Sequence, residues 1–515
     1  MESKGPRGPR FWVIIATLCI IAILSALENT VVTTSLPYIW VTNVFFLTGA
    51  AVQPLFGQLA NIFGRRYTTL GIVILFTLGS GIAGGASSGA ALIAGRAVQG
   101  MGGGGINMIV DVIVSDLVPL RERGNYIACI LMVYFIGTAV GPYVGGAVVE
   151  NTTWRWVFYI NLPVGGLSIF LILVFLQVKY DKEMSFAQKV RRIDYIGNLL
   201  LISSTVSILW ALTYAGIQYP WSSWRIVSPL VIGLVGLVAF AAFENTKFVR
   251  EPVIPPRLFA NRTSAAVFAV TFLNSALLYW MFFFLPVYFQ AVLLSSPART
   301  GVQLLPAIFI AIPGAVAAVL LLAKFGKYKP LHWMGFGLNT IGLGLFTLLD
   351  KNSSTAEWIV FQMVAAGGSG FVLNTLLPAC QAQLSEADQA SATATWSFVR
   401  SFGSIWGVAI PATIFNNYIS KSVHQVSDLT VAARLMAGNA YSSGTASFVK
   451  SFEGPIKEQV IRLYTDSLKE VWRISIIFSG VSFLLVFLEK QIKMRTELET
   501  EFGLEKRTSG GTNGA

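Results

Sequence analysis

Polar residues in this chain are gathered into short clusters, and between the clusters run long stretches in which nearly every position is apolar. The stretches fall at 11–37, 40–61, 68–87, 90–118, 125–149, 155–177, 194–216, 226–244, 263–292, 300–323, 331–349, 356–378, 389–416 and 471–489. Each is close to the ~20 residues that carry an α-helix across the hydrocarbon of a bilayer. Lipid-exposed backbone must satisfy its own hydrogen bonds, and the stretches are too long and too uniformly apolar for barrel strands. The pattern therefore predicts an all-α polytopic membrane protein with fourteen spans and both ends of the chain on one side. One further segment, "PIKEQVIRLYTDSLKEVW" (455–472), has apolar residues at helical spacing between charged ones, and is expected to lie along the outer surface or to cap the protein.

The polar clusters orient the spans. Lys4/Arg7/Arg10, Arg65/Arg66, Arg121/Arg123, the stretch from Lys179 to Arg192, Lys247 to Arg262, Lys324 to Lys329 and the tail from Lys490 all fall on one side of a fourteen-span chain. That side is expected to be cytoplasmic. The connector at Glu386 and Asp388 has no Lys or Arg of its own. Two glycosylation sequons, at Asn151 and Asn352, fall on the opposite side, where a glycosyl transferase reaches them, and a third at Asn261 falls inside. The first two spans meet within a few residues around Tyr38, shorter than most helix hairpins, which predicts a strained turn or a deletion in the gene model.

Composition agrees: 54% of the 515 residues are hydrophobic and 12% charged, about half the charged share of a soluble domain. The net charge of +12 belongs to the connectors, so it argues for orientation rather than a nucleic-acid partner. Cys19, Cys129 and Cys380 have no paired spacing and read as small core residues. His332 and His424 are isolated, which gives a histidine-ligated metal or a Ser-His-Asp triad no support. "GMGGGG" matches G-x-G-x-x-G by letter, but no strand precedes it, so it reads as close helix packing rather than a dinucleotide site. No G-x-x-x-x-G-K-[ST] loop is present, so ATP is not the expected energy source within this chain, and no cofactor is expected. An enzyme is the least supported class, since no cluster of nucleophile, base and metal ligands appears.

Charges inside the spans carry the chemistry. Ionised groups are costly in hydrocarbon, so they face a protein-lined interior and mark a pathway. Glu28 lies outward of the middle of the first span and Arg96 in the outer half of the fourth, at similar depth for a rise of ~1.5 Å per residue, so they are placed to pair. Asp111 lies several turns further inward on the fourth span, and Arg400 enters the thirteenth near its cytoplasmic end. Movement of the cation, or entry of cargo, would switch Glu28 between proton-loaded and empty.

Several stretches read together. "LENTVVTTSLP" (27–37), "GQLANIFGRR" (57–66), "GRAVQGMGGGG" (95–105), "GTAVGPYVGG" (137–146) and "WRWVFYINLPVGG" (154–166) resemble, in order and spacing, the signature motifs of the major facilitator superfamily in its fourteen-helix drug:proton antiporter branch. "SDLVPLRERGNY" (115–126) and "LPVYFQAVLLSSPARTGVQLLP" (285–306) are similar to fungal members that export toxins, secondary metabolites and antifungal drugs. The resemblance implies a fold of two six-helix bundles with two inserted central helices. It implies a conformational latch at Gly57, Asn61, Gly64, Arg65 and Arg66, in which Asn61 replaces the usual acid, and a bend between halves at Gly141, Pro142 and Gly145. It further implies a proton role for Arg96, with Gln99 beside it and Glu28 standing where the branch usually has Asp; Asp111 joins Glu28 and Arg96 as a proton-coupling candidate because it is a charge inside a span. Candidate cargo contacts are Gln99, Asn107, Tyr134, Asn274, Tyr279 and Gln290.

The expected organisation is a tail at 1–10, a first bundle at 11–178, a linker with two extra spans at 179–262, a second bundle at 263–489 with an outer loop at 417–470, and a tail at 490–515. The expected function is proton-driven efflux of hydrophobic small molecules by a monomer in the plasma membrane, with the vacuolar membrane as alternative. A vacuolar basic-amino-acid carrier and a siderophore transporter share the plan, and a transporter-like sensor or receptor is the alternative of another class.

Overall fold

The computed structural model describes residues 8–35, 39–120, 122–178, 184–215, 219–382, 384–385, 388–436 and 440–492, and these are almost wholly helical. Eleven of the described helices are long and apolar enough to cross a membrane. Three more, outside those eleven, occupy predicted spans: the broken pair α2 (Ile39–Ala51) and α3 (Gln53–Phe63), α6 (Arg123–Asn151), and the helix Lys329–Leu345. The second span breaks at Val52 because Pro54, which lacks a backbone N–H, starts a new helix there. The hairpin around Tyr38 falls at 36–38, outside the described residues.

The helices form two six-helix bundles with two helices between them. In the first bundle α1 (Pro9–Ser35) packs on α6, and α5 (Gly89–Leu117) packs on both α2 and α4 (Arg65–Gly84). The glycines of "GMGGGG" make that sandwich possible: a Cβ on Gly104 would lie 2.0 Å from the Gly49 carbonyl oxygen, and one on Gly102 would lie 2.4 Å from the Phe76 nitrogen. Bare backbone on two faces of one helix admits two neighbours at once. The inserted pair, Tyr195–Tyr214 and Trp224–Glu244, leans on α2 and on the helix Gln389–Ser422, at the seam between bundles.

Local signals set most helix ends. Ser185 and Ser354 each form a capping box with the Gln or Glu three residues on, and Asn261 caps the helix Arg262–Val287 through the Thr263 N–H. That bond occupies the side chain of the inner sequon. Gly64 joins α3 to α4 at φ 84°, a conformation that disfavours any residue with a Cβ.

Three features differ from expectation. "PIKEQVIRLYTDSLKEVW" does not lie along a surface: it begins the 32-residue helix Gly454–Leu485, which continues unbroken into the last span. Its apolar positions, including Val460, Leu463, Tyr464 and Leu468, join the second bundle's core with Trp280, Phe284 and Phe415. Helical spacing alone could not distinguish a surface helix from a span extended beyond the bilayer. Second, the connector at Asp388 acquires its cation from elsewhere, because Arg257 of the linker binds the Asp388 carboxylate at 2.6 Å. Third, Cys19 and Cys129, distant in sequence, are neighbours on α1 and α6 as free thiols, Cys19 half-buried and Cys129 exposed, so of the three cysteines read as core residues only Cys380 is buried.

Candidate functional site

Inside the first bundle, Glu28 of α1 and Arg96 of α5 form an ion pair, each side chain only 1% exposed. Hydrogen-bonding side chains surround the pair. Arg96 Nη1 also donates to Gln99 Oε1 at 2.7 Å, Gln99 Nε2 donates to Ser80 Oγ at 2.6 Å, and Asn161 Nδ2 donates to Glu28 Oε2 at 2.5 Å and to Ser80 at 3.3 Å. The Arg96 guanidinium lies 4.3 Å over the Phe45 ring, a second favourable contact for a cation held away from solvent. Asn107 faces the same bundle interior, accepting from Ser25 Oγ at 3.4 Å.

Asn161 and Ser80 were not singled out from sequence. Asn161 sits in the quoted stretch "INLPVGG", where a lone amide ahead of an apolar run was the available signal. Ser80 had none, since small hydroxyls are common in spans and bond their own helix.

Asp111 lies apart from this network. It is buried on the inward half of α5, where the charge acting on it is that of Arg400 of the second bundle, so the two carboxylates of α1 and α5 face different cations. Arg400 also lies 4.7 Å over the Trp396 ring. Tyr279 belongs to this second centre: 38% exposed, it stacks on Phe283 and neighbours Arg400 and Ser404. Asn274 is buried earlier on the same helix, and Tyr134 is half-buried on α6. Gln290 is separate, on a π-helical turn, Tyr288–Val292, at the far end.

The basic ends of the two bundles are locked together. Arg65 is buried and its guanidinium binds Asp116 at 2.6 Å, Asn61 Oδ1 at 3.0 Å and the Ala60 carbonyl at 2.8 Å. The loss of an acid at Asn61 therefore leaves Arg65 with a carboxylate, and frees the Asn61 amide to donate to Ser391 Oγ of the second bundle at 3.0 Å. Arg66 instead reaches the Leu173 carbonyl within the first bundle. Gly57 faces Ala394 so closely that a Cβ there would lie 2.3 Å from the Ala394 Cβ.

Arg123, read from sequence as a connector cation, is 1% exposed. It donates to the Val118 carbonyl at 2.8 Å and to Gln381 Oε1 of the second bundle at 2.8 Å, and Gln381 in turn donates to Ser115 at 3.0 Å and Thr393 at 2.8 Å. All of these contacts lie at the basic end, so the structure is closed on that side. The bend at Gly141, Pro142 and Gly145 lies on α6, which runs unbroken from Arg123 to Asn151; Gly141 is buried, and the side chains at 142 and 145 are outside the described ones. Asn151 and Asn352 are exposed.

Comparison with known proteins agrees with this architecture. The family model described as Major Facilitator Superfamily matches residues 10–408. The MFS-type transporter TwmF of Talaromyces wortmannii is 50% identical, over 99% of this chain and 96% of its own length. The MFS-type efflux pump LUC4 of Fusarium sp is 44% identical over 98% of this chain and 92% of its own, and the efflux pump FUS6 of Gibberella fujikuroi is 44% identical over 99% and 94%. Among solved structures, the human organic anion transporter MFSD10 superposes with a TM-score of 0.56 at 13% identity, covering 93% of this chain and all of that one. The proton:xylose symporter XylE superposes with a TM-score of 0.53 at 15% identity, covering 86% and 95%; at such identities the likeness is one of fold.

Proposed function

The chain belongs to the Major Facilitator Superfamily, as a multi-pass membrane transporter, and from that premise we propose that it expels hydrophobic small molecules, of the secondary-metabolite class, in exchange for protons. The observation that carries the reading is the buried Glu28–Arg96 pair with its polar escort of Gln99, Ser80 and Asn161. A carboxylate sealed among helices is costly to leave charged unless a cation holds it. A proton arriving from the outer side neutralises Glu28 and releases its hold on Arg96, which Gln99 and the Phe45 face then retain.

The closed basic end supports alternating access: the present contacts describe the state in which the cytoplasmic path is shut. As the latch parts, Arg65, Asn61 and Arg123 exchange partners between the halves and the interior opens inward. The Asp111–Arg400 centre, with Tyr279, Trp396 and Phe283 near it, is a cargo-facing surface that is largely aromatic. Because Asp111 faces a cation, the centre carries little net negative charge, which speaks against a basic amino acid as cargo. The protein works as a monomer in the plasma membrane, and the proton gradient is its energy source.

Inside-out vesicles test this. With an acidic lumen they take up a fluorescent hydrophobic dye, and a protonophore stops the uptake. Persistence of concentrative uptake after the gradient collapses removes the antiport reading. Sequon use provides a separate check on orientation: Asn151→Gln and Asn352→Gln each remove a glycosidase-sensitive band shift, whereas Asn261→Gln leaves mobility unchanged.

A further inference from the structure

The basic end of the inserted helix pair holds two carboxyl groups that neither the coupling site nor the latch uses. Asp194 caps the helix Tyr195–Tyr214, its Oδ1 accepting from the Gly197 N–H at 2.8 Å. Glu244 ends the companion helix, 5% exposed, with Oε1 accepting from the Val253 N–H at 3.1 Å. The remaining oxygens, Asp194 Oδ2 and Glu244 Oε2, are both buried without a donor, and the two carboxyl groups lie within reach of each other. Gly197 makes the space: a Cβ at that position would lie 2.1 Å from Asp194 Oδ2 and 2.8 Å from Glu244 Oε1. Asn198 Oδ1, one residue on and itself buried, is likewise without a donor.

We propose that Asp194 and Glu244 hold a single proton between them, so that the basic end of the inserted pair is a proton-binding site distinct from Glu28. A half-buried and a buried carboxylate whose unpartnered oxygens face one another repel strongly when both are ionised, and one proton turns that repulsion into a charge-assisted O–H···O bond. The surrounding cations do not substitute for it. Arg192 is committed to Glu251, Arg191, Lys247 and Arg250 are exposed, and the buried Lys189 makes no hydrogen bond to Asp194 Oδ2 or Glu244 Oε2. The facing α3 carries no charged residue and reaches the joint through Gln58, and Arg400 of the helix Gln389–Ser422 faces Asp111.

The site is tied to the latch. Asn198 Nδ2 donates to Gln58 Oε1 at 2.8 Å, and Gln58 Nε2 donates to the Glu251 carbonyl at 2.7 Å, so the inserted pair, its outgoing linker and α3 share one hydrogen-bonded chain. The proton therefore holds the inserted pair against the helix that leads into Gly64 and Arg65. Loss of the proton sets two negative charges against each other at that joint and loosens it.

The test is thermal unfolding of the full-length protein in nanodiscs as a function of pH, paired with infrared detection of protonated carboxyl groups. The folded chain binds this proton more tightly than the unfolded one, whose carboxyls titrate near ~4. Stability contributed by the site is thus full below that value, falls as pH rises, and levels off once the proton has left. Glu244→Gln supplies a permanent N–H donor to Asp194, so the expected result is a flatter profile, a higher melting temperature than the wild type at alkaline pH, and loss of one protonated-carboxyl infrared band. Asp194→Asn, which keeps the cap, is expected to do the same. Parallel profiles for wild type and both variants overturn the proposal, as does stabilisation of the wild type alone by millimolar magnesium or calcium, which would make the site a cation site.

Discussion

Glu28→Gln is expected to reduce proton-driven efflux to the background of empty vesicles while the protein still reaches the membrane. The substitution keeps the shape of the side chain and an oxygen that Arg96 or Asn161 can use, but removes the group that takes up and releases a proton. It also leaves Arg96 without its counter-charge, a change that costs about 3–5 kcal/mol when a buried pair is broken outright. Two features reduce that cost here: the Gln99 oxygen at 2.7 Å and the Phe45 ring face at 4.3 Å remain in place. The discriminating measurement is cargo exchange without a gradient. The variant is expected to retain exchange and lose gradient-driven accumulation, since only the latter needs a titrating group. Unaltered accumulation removes Glu28 from the coupling mechanism. The reciprocal change, Arg96→Leu, strands a carboxylate in a dry interior, and its stability defect is expected to be largely rescued by adding Glu28→Gln.

Gly57→Ala is expected to abolish transport by preventing the basic end from closing, and Ala394→Gly is expected to restore it. In the closed state the added methyl would sit 2.3 Å from the Ala394 Cβ, far inside van der Waals contact, and both residues lie on rigid helices that cannot yield locally. The bundles must therefore part, breaking the neighbouring Asn61–Ser391 bond, or remain open. Moving the methyl from 394 to 57 leaves one Cβ at the contact, as in the wild type. Spin-label distances across the basic end report the outcome: longer in Gly57→Ala, and returned to the wild-type value in the double variant. A single variant with wild-type distances and transport shows that this contact does not set closure.

The Glu28–Arg96 ion pair was legible in the sequence. Glu28 and Arg96 were conspicuous because charge is rare in apolar spans, and helical rise put them at one depth. The latch was legible as a motif and only partly as chemistry. Asn61 looked like a lost charge, yet Arg65 takes its carboxylate from Asp116, 51 residues away, and Asn61 bonds across to the other bundle. Arg123 looked like one more headgroup anchor, because position in a connector says nothing about whether the side chain turns inward. The Asp194–Glu244 joint had no sequence signal, since each carboxylate sits at a helix end where polar residues are ordinary.

Two kinds of information separate here. Hydropathy, connector charge and isolated buried charges are properties of single segments against a bilayer, so sequence by itself determined that the chain is helical, polytopic and holds charged side chains inside its spans. Which carboxylate meets which cation, which half is shut, and where two acids share a space all depend on atoms brought together from segments tens to hundreds of residues apart. Those contacts are decided at ångström scale by how helices pack, through bare glycine faces such as Gly104 against Gly49 and Gly57 against Ala394, and no segment considered alone carries that distance.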